Sequence, residues 1–202
     1  MFKLACKIPD KVTVACSGGI DSMVLLHFVH AGHRDITVAH FNHGTPHSHD
    51  AQALVEAYVN DNNLKLKVGE VSSVKPDGES PEKFWRDERY SFFKGLPKPI
   101  LTAHHLNDTA EWWLMSALRG RSGLIPVSRN NGDIKRPLLF STKAQIIEYA
   151  MRHAIPFVSD PTNMHTSLPR GIVRNEIMDW ALKANPGFLT TVRNLYRDRK
   201  LI

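Results

Sequence analysis

The chain has 202 residues, 42% of them hydrophobic, and a formal net charge of +6 with a pI near 9.4. That is enough for one medium-sized domain with its own core, and the basic balance suits a polyanionic partner, because cations placed on phosphates release counterions. Only Cys6 and Cys16 are present, which excludes a disulfide framework and a CxxC zinc or redox pair, and no run approaches the roughly 18 to 20 apolar residues of a membrane span or the apolar core of a signal peptide. A soluble, cytoplasmic protein with no membrane association is expected.

Lys11 to Cys16 is a short β-branched run that stops at a glycine pair, and Ser22 to His30 then carries Met23, Leu26 and Val29 at helical spacing. The alternation repeats: a strand over Ile36–Phe41, a helix over Asp50–Asn60 and a strand over Leu64–Val71, followed by a polar Pro/Gly/Ser loop over Ser72–Pro81. A helix over Glu82–Phe93, a strand over Ile100–Ala103 and a helix over Asn107–Leu118 come next. The pattern predicts an α/β fold, a Rossmann-like parallel sheet of about five strands flanked by helices. Residues 119 to 136 read as a loop too polar to pack, lying over a site. Ser141 or Thr142 can cap a helix running to His153, Ser159 to Asn163 is a break, and helices are expected over Gly171–Ala184 and Phe188–Arg199. The whole chain, 1 to 202, reads as a single catalytic domain. Its small helical C-terminal segment, 170 to 202, holds seven Lys/Arg against three acids. No internal repeat is found.

Ser17-Gly18-Gly19-Ile20-Asp21-Ser22 joins the first strand to the first helix. In an open parallel sheet such a loop presents free backbone N–H groups and the positive end of a helix dipole beyond the carboxyl edge of the strands. Phosphate is the natural guest. Gly18 and Gly19 let the backbone approach an anion, Ser17 and Ser22 add hydroxyl donors, and Asp21 can orient the loop or reach a magnesium ion. The loop has neither the GxxxxGK[ST] pattern, with its lysine for a γ-phosphate, nor GxGxxG. Attack at the α-phosphate, leaving AMP on a substrate and expelling pyrophosphate, suits it better.

This SGGIDS segment closely resembles the PP-loop signature of N-type ATP pyrophosphatases, and three further segments resemble one branch of them, the tRNA(Ile)-lysidine synthetases. His40-Phe41-Asn42-His43 is similar to that family's HxNH motif beside the nucleotide, although Gly44-Thr45 stands in place of the usual Leu-Arg. Trp85-Arg86-Asp87-Glu88-Arg89-Tyr90 is similar to its ARxxRY pattern, with Arg86 and Arg89 on one helix face. Ala103-His104-His105-Leu106-Asn107-Asp108-Thr109-Ala110-Glu111 resembles its AHHxxDxxET stretch, with Trp112 where the pattern has threonine, followed by Arg119-Gly120 and Gly123-Leu124. Arg136-Pro137-Leu138-Leu139, Asp160-Pro161-Thr162-Asn163 and Arg174-Asn175 follow in the family's order, so the resemblance runs from about Val12 to Met178.

The resemblance implies ATP with Mg2+ as cofactor, and free L-lysine and an isoleucine tRNA with a CAU anticodon as partners. Ser17 through Ser22, His40 and His104 would bind ATP, with Asp21 also toward the metal. Asp108 and Glu111, three apart on one helix face, would hold the amines of lysine and act on its ammonium, and the guanidinium of Arg174 would hold its carboxylate. Asp21, Asp108, Glu111 and Arg89 form the expected catalytic set, and Arg86, Arg119, Arg121, Arg193 and Arg197 the expected tRNA-binding set. Of His104 and His105, one is expected to contact ATP or the target base and the other to be packed. His40, His43, His47 and His49 are read as something other than a metal cluster, with no cysteine near them in sequence. Trp112 and Trp113 point to different parts of a helix, so at least one is expected in the core. The resemblance is to a short form, and the family's usual C-terminal RNA-binding domains are expected to be lacking. Either the basic tail and a homodimer serve the tRNA, or the RNA is a smaller or different one. Two other readings remain open: tRNA thiolation, which shares the adenylation step, and a nucleotide- or tRNA-binding module without turnover.

Overall fold

In the computed structural model, which describes residues 1–159 and 169–199, β1 (Lys11–Ala15), β2 (Asp35–Asn42), β3 (Lys65–Glu70) and β4 (Ile100–Leu101) lie in one sheet with β5 (Ser128–Arg129) and β6 (Ile134–Lys135). Its order is β3-β2-β1-β4-β6-β5. All neighbouring pairs are parallel except β5 with β6. The α/β expectation holds, and the sheet gains a sixth strand and an antiparallel edge.

That edge corrects the reading of 119 to 136 as a loop too polar to pack. Asn130 and Asn131 turn the chain with φ of 51° and 54°, a left-handed conformation that asparagine tolerates better than most residues. The hairpin then drops Ile134, 2% exposed, onto β4. Arg136, also 2% exposed, donates from Nη1 to the Pro126 carbonyl at 2.6 Å, so even a cation of this segment is packed.

The first core lies between β1, β2, α1 (Ile20–Ala31), α2 (Pro46–Asp61) and α5 (Lys143–Arg152), built from side chains such as Val14, Leu25, Val38, Val55 and Ile146. Thr142 Oγ1 accepts from Gln145 N at 3.3 Å at the start of α5, so of the two possible caps the structure uses Thr142. α3 (Pro81–Lys94) covers the sheet at β3, where Phe92 fills the space a Cβ would take at Gly69.

A second core joins α4 (Leu106–Ala117) to the C-terminal helices through Leu106, Ala110, Val173, Phe188 and Val192. The helix from Pro169 to Ala184 is not uniform: α6 (Pro169–Ile172) passes into a π-helical turn, Val173–Ile177, before α7 (Met178–Ala184). In α8 (Phe188–Asp198), Tyr196 is fully buried, donates to the Ile125 carbonyl at 2.6 Å and pairs with Thr109 Oγ1 at 3.0 Å. The expected C-terminal helical segment is thus packed into the body of the protein. Asp160-Pro161-Thr162-Asn163 and Lys200 lie outside the described residues. Among the described residues no helix is long and apolar enough to cross a membrane.

Candidate active site

The strand order reverses between β1 and β4, and in open α/β sheets the crevice beyond the carboxyl ends of the strands at that point is where ligands bind. The loop after β1 carries Ser17 to Gly19 and the loop after β4 carries Thr102 to His105. Together they frame an open cleft of about 300 Å³ that also takes in Asp21, Ser22, His43, Arg89, Asp108 and Arg170.

Gly18 has φ +82°, and a Cβ there would stand 3.0 Å from both Cβ and O of Ala51 in α2, so glycine is required both by the dihedral and by the close approach. Ser22 Oγ donates to the Gly19 carbonyl at 2.9 Å and accepts from Ser17 N at 3.1 Å. This pair fixes a tight loop whose following backbone opens α1. Asp21, in the first turn of α1, turns its carboxylate to Lys143 Nζ at the start of α5, and His105 Nε2 lies 3.6 Å from the same Oδ1. Lys143 is itself held by its backbone N–H, which donates to Asn107 Oδ1 at 2.9 Å. The loop has no lysine of its own, but the fold brings one to it from 122 residues away.

His105 is the N-cap of α4. Its backbone N–H donates to Asp108 Oδ2 at 2.9 Å, and its Nδ1 accepts from Asp108 N at 3.3 Å. Its Nε2 faces Asp21. His104 is the histidine on the cleft wall, with Nδ1 at 3.0 Å from Thr102 Oγ1. Burial, with the positive charges of Arg136, Arg89 and Arg170 acting in the same direction, pushes its pKa down to about 4. His43 also lines the cleft and falls to about 4, through burial and then the charges of Arg89 and His40.

His40 was expected at the nucleotide, but the structure places it beneath the cleft. It is 1% exposed, and its Nδ1 lies 2.9 Å from the Cys16 carbonyl. The cause is strand parity: Ala39 and Phe41 of β2 face the cleft, so His40 points to the other side. Asn42 of the same motif is structural, its Nδ2 donating to Gln52 Oε1 at 2.7 Å while its Oδ1 receives Ser48 Oγ at 2.7 Å.

Asp108 and Glu111 are 9% and 4% exposed. Their partners are guanidiniums from the far end of the chain. Arg174 forks onto Glu111, Nε to Oε1 at 2.9 Å and Nη2 to Oε2 at 3.0 Å, and Nη2 lies 3.6 Å from Asp108 Oδ1. Arg170 spans both acids, at 3.4 Å from Asp108 Oδ1 and 3.5 Å from Glu111 Oε2. Burial acts to raise the Asp108 pKa, but the neighbouring His105, His104 and Arg170 charges and the backbone N–H of His105 outweigh it and hold the carboxyl below its ordinary value. Burial likewise opposes the charged form of Arg174, and Glu111 and Asp108 outweigh it, raising that pKa. Among the described residues Arg89 has no ion pair, and its desolvation lowers its pKa in the cleft wall. A dehydrated, unneutralised guanidinium is an anion receptor.

The remaining expected residues are dispersed. Arg86 is exposed on α3, its guanidinium 5.7 Å from the centre of the Tyr90 ring. Arg119 and Arg121 flank the end of α4, and Arg193 and Arg197 sit on α8, Arg197 beside Asp198 at 3.6 Å. Arg170 and Lys143 are functional candidates that sequence reasoning missed. The i, i+4 spacing of Arg170 to Arg174 was a usable signal for the first.

A phosphate-embracing loop at the reversal point, with no γ-phosphate lysine inside it, matches what comparison with known families finds: a PP-loop domain model matches residues 3–181. The chain belongs to the PP-loop family. It is 33% identical over 203 residues to the tRNA(Ile)-lysidine synthase of Aster yellows witches'-broom phytoplasma, covering 95% of this chain and 46% of that one. Against the enzyme of that name from Thermotoga maritima it is 32% identical over 192 residues, covering 88% and 46%. The chain thus spans just under half the length of these relatives. Among solved structures, the U34-tRNA thiolase NcsA from Methanococcus maripaludis superposes with a TM-score of 0.77 at 17% identity over 96% of this chain and 73% of that one. At that identity the likeness shows the PP-loop fold.

Proposed function

We propose that this protein is a tRNA(Ile)-lysidine synthetase-like ligase, acting in the cytoplasm on the wobble cytidine of a CAU-anticodon isoleucine tRNA. The C2 oxygen of the cytidine attacks the α-phosphate of ATP and pyrophosphate leaves. The ε-amine of lysine then attacks C2, the C2–O bond breaks, AMP departs, and the amine loses its proton. The single observation that carries the reading is that Asp108, joined to Glu111 through Arg170, lines the same cleft as the PP-loop. Catalysis then consists of positioning and charge neutralisation.

The loop from Ser17 to Ser22 and the start of α1 receive the phosphates, with Lys143 and Arg89 as the cations that face the developing charge. Asp21 and Asp108 both border the cleft, and one or two carboxylates together with phosphates are a sufficient protein contribution for Mg2+. The metal would screen the phosphates. Two nitrogens of Arg174 are committed to Glu111, so Nη1 is the one left for a lysine carboxylate, and a lysine ammonium at Asp108 takes the place Arg170 now fills.

Thiolation is not favoured. Cys16 is buried among Ser22 and Met23, and burial pushes its thiol up to about 11, while Cys6 is a separate free thiol. The test incubates the protein with a CAU-anticodon isoleucine tRNA, ATP and lysine, following pyrophosphate release and analysing the nucleosides by mass spectrometry. Lysine-modified cytidine is expected, and its absence above background overturns the reading. Asp21→Ala should abolish AMP formation; a pure binding module would form none even as wild type.

A further inference from the structure

Trp112 stands one helical turn beyond Asp108 on the same face of α4, about 6 Å along the axis. Its neighbour Trp113 turns inward onto Phe188, ring centroids 5.9 Å apart, whereas Trp112 is 45% exposed. Met115, Ser116 and Arg119 follow Trp112 at helical spacing, and with Arg121 they line a second concavity of about 320 Å³. The loop bearing Arg121 is held in place: Arg121 N donates to the Ser116 carbonyl at 2.8 Å, Gly123 N donates to Ser116 Oγ at 2.8 Å, and both terminal nitrogens of Arg199 donate to Ser122. A Cβ at Gly123 would come within 3.0 Å of Trp112 Nε1, so the indole edge is seated against this loop. Neither Arg119 nor Arg121 meets a carboxylate among the described residues.

An indole, a thioether and two unneutralised guanidiniums around one concavity are complementary to a nucleotide, its base on the ring and its phosphates on the cations. The geometry points to a stacking subsite here for an unpaired base flanking the reacting nucleotide, with Trp112 as the platform and Arg119 and Arg121 as phosphate contacts. The lysidine synthetase pattern has threonine at this place, so the platform is a property of this chain. The inference rests on the reading that the substrate is an RNA, and not on which amine is transferred.

Binding of a labelled CAU anticodon hairpin to the full chain tests it, with ATP affinity measured in parallel as a check on folding. Trp112→Ala should weaken hairpin binding about 10-fold, Trp112→Phe by no more than about 3-fold, and both should bind ATP as wild type does. Arg119→Ala/Arg121→Ala should flatten the slope of log K against log salt by about 1.4, the value for two phosphate contacts on a single strand. Wild-type affinity in Trp112→Ala, equal losses in the Ala and Phe variants, an unchanged salt slope, or no hairpin binding by the wild type would each overturn the subsite. Trp112-dependent hairpin binding without lysine transfer supports the subsite and overturns the proposed reaction; lysine transfer with Trp112-independent binding does the reverse.

Discussion

Arg174→Ala removes the guanidinium that closes over the acids of α4. The Glu111 side chain is 5% exposed and that of Arg174 34%, and without the fork Glu111 keeps, among the described residues, only Arg170 Nε at 3.5 Å. Stranding one partner of a fully buried pair costs about 3–5 kcal/mol. Because Arg174 is partly solvated and Arg170 remains, the expected loss is about 2–3 kcal/mol. In urea, with m near 2 kcal/mol per molar, the midpoint should fall by roughly 1–1.5 M at unchanged m. In a thermal scan the same loss corresponds to roughly 4–12 °C. Adding Glu111→Gln removes the stranded charge, so the double variant should regain at least about half of the loss. A midpoint within about 0.3 M of wild type for Arg174→Ala, or a double variant no more stable than the single, would refute the account of Glu111 as a charge held in the fold by Arg174.

His43 and His104 titrate at about 4 in the fold against an ordinary value of 6.5. Between those values the unfolded chain holds more protons, so stability is intact above pH 6.5 and is lost as the pH falls toward 4. Urea midpoints between pH 7 and 4.5 should show that decline, with a shallower slope in His104→Asn; an identical slope would contradict the assignment. Gly18→Ala meets both a left-handed φ and Ala51 at 3.0 Å, whereas Gly120, at φ +70°, has nothing within 4 Å. Each should lose about 1–2 kcal/mol from the dihedral, but only Gly18→Ala should lose ATP affinity, by more than about 10-fold on titration.

The parts of this fold that sequence made legible are those where a local pattern and the tertiary environment agree. Val12 to Val14 are β-branched and buried, and the glycine pair after them meets a helix start, so strand, loop and helix could be read directly. The Asp108–Glu111 pair followed from helical spacing. The β5–β6 hairpin was missed because its polar composition hides two strands of two residues each, held by pairing of β6 to β4 and of β5 to β6. His40 was misplaced because the motif names the residues and strand parity decides which of them faces the ligand. Lys143 was out of reach for a different reason: its partner lies 122 residues away, and only the completed fold brings the charges together.

Tyr196 sets a limit on how this chain can be cut and joined. Its hydroxyl gives its one proton to the Ile125 carbonyl and takes one from Thr109, whose own exposure is 0%. A stop codon or protease cut ahead of it would not trim a tail; it would leave a polar hole under α4, beside the helix that carries both acids. A chimera that grafts this unit onto a second domain therefore has its usable junction after α8, and a fusion point chosen at Met178, where the resemblance in sequence ends, would yield an insoluble or inactive product.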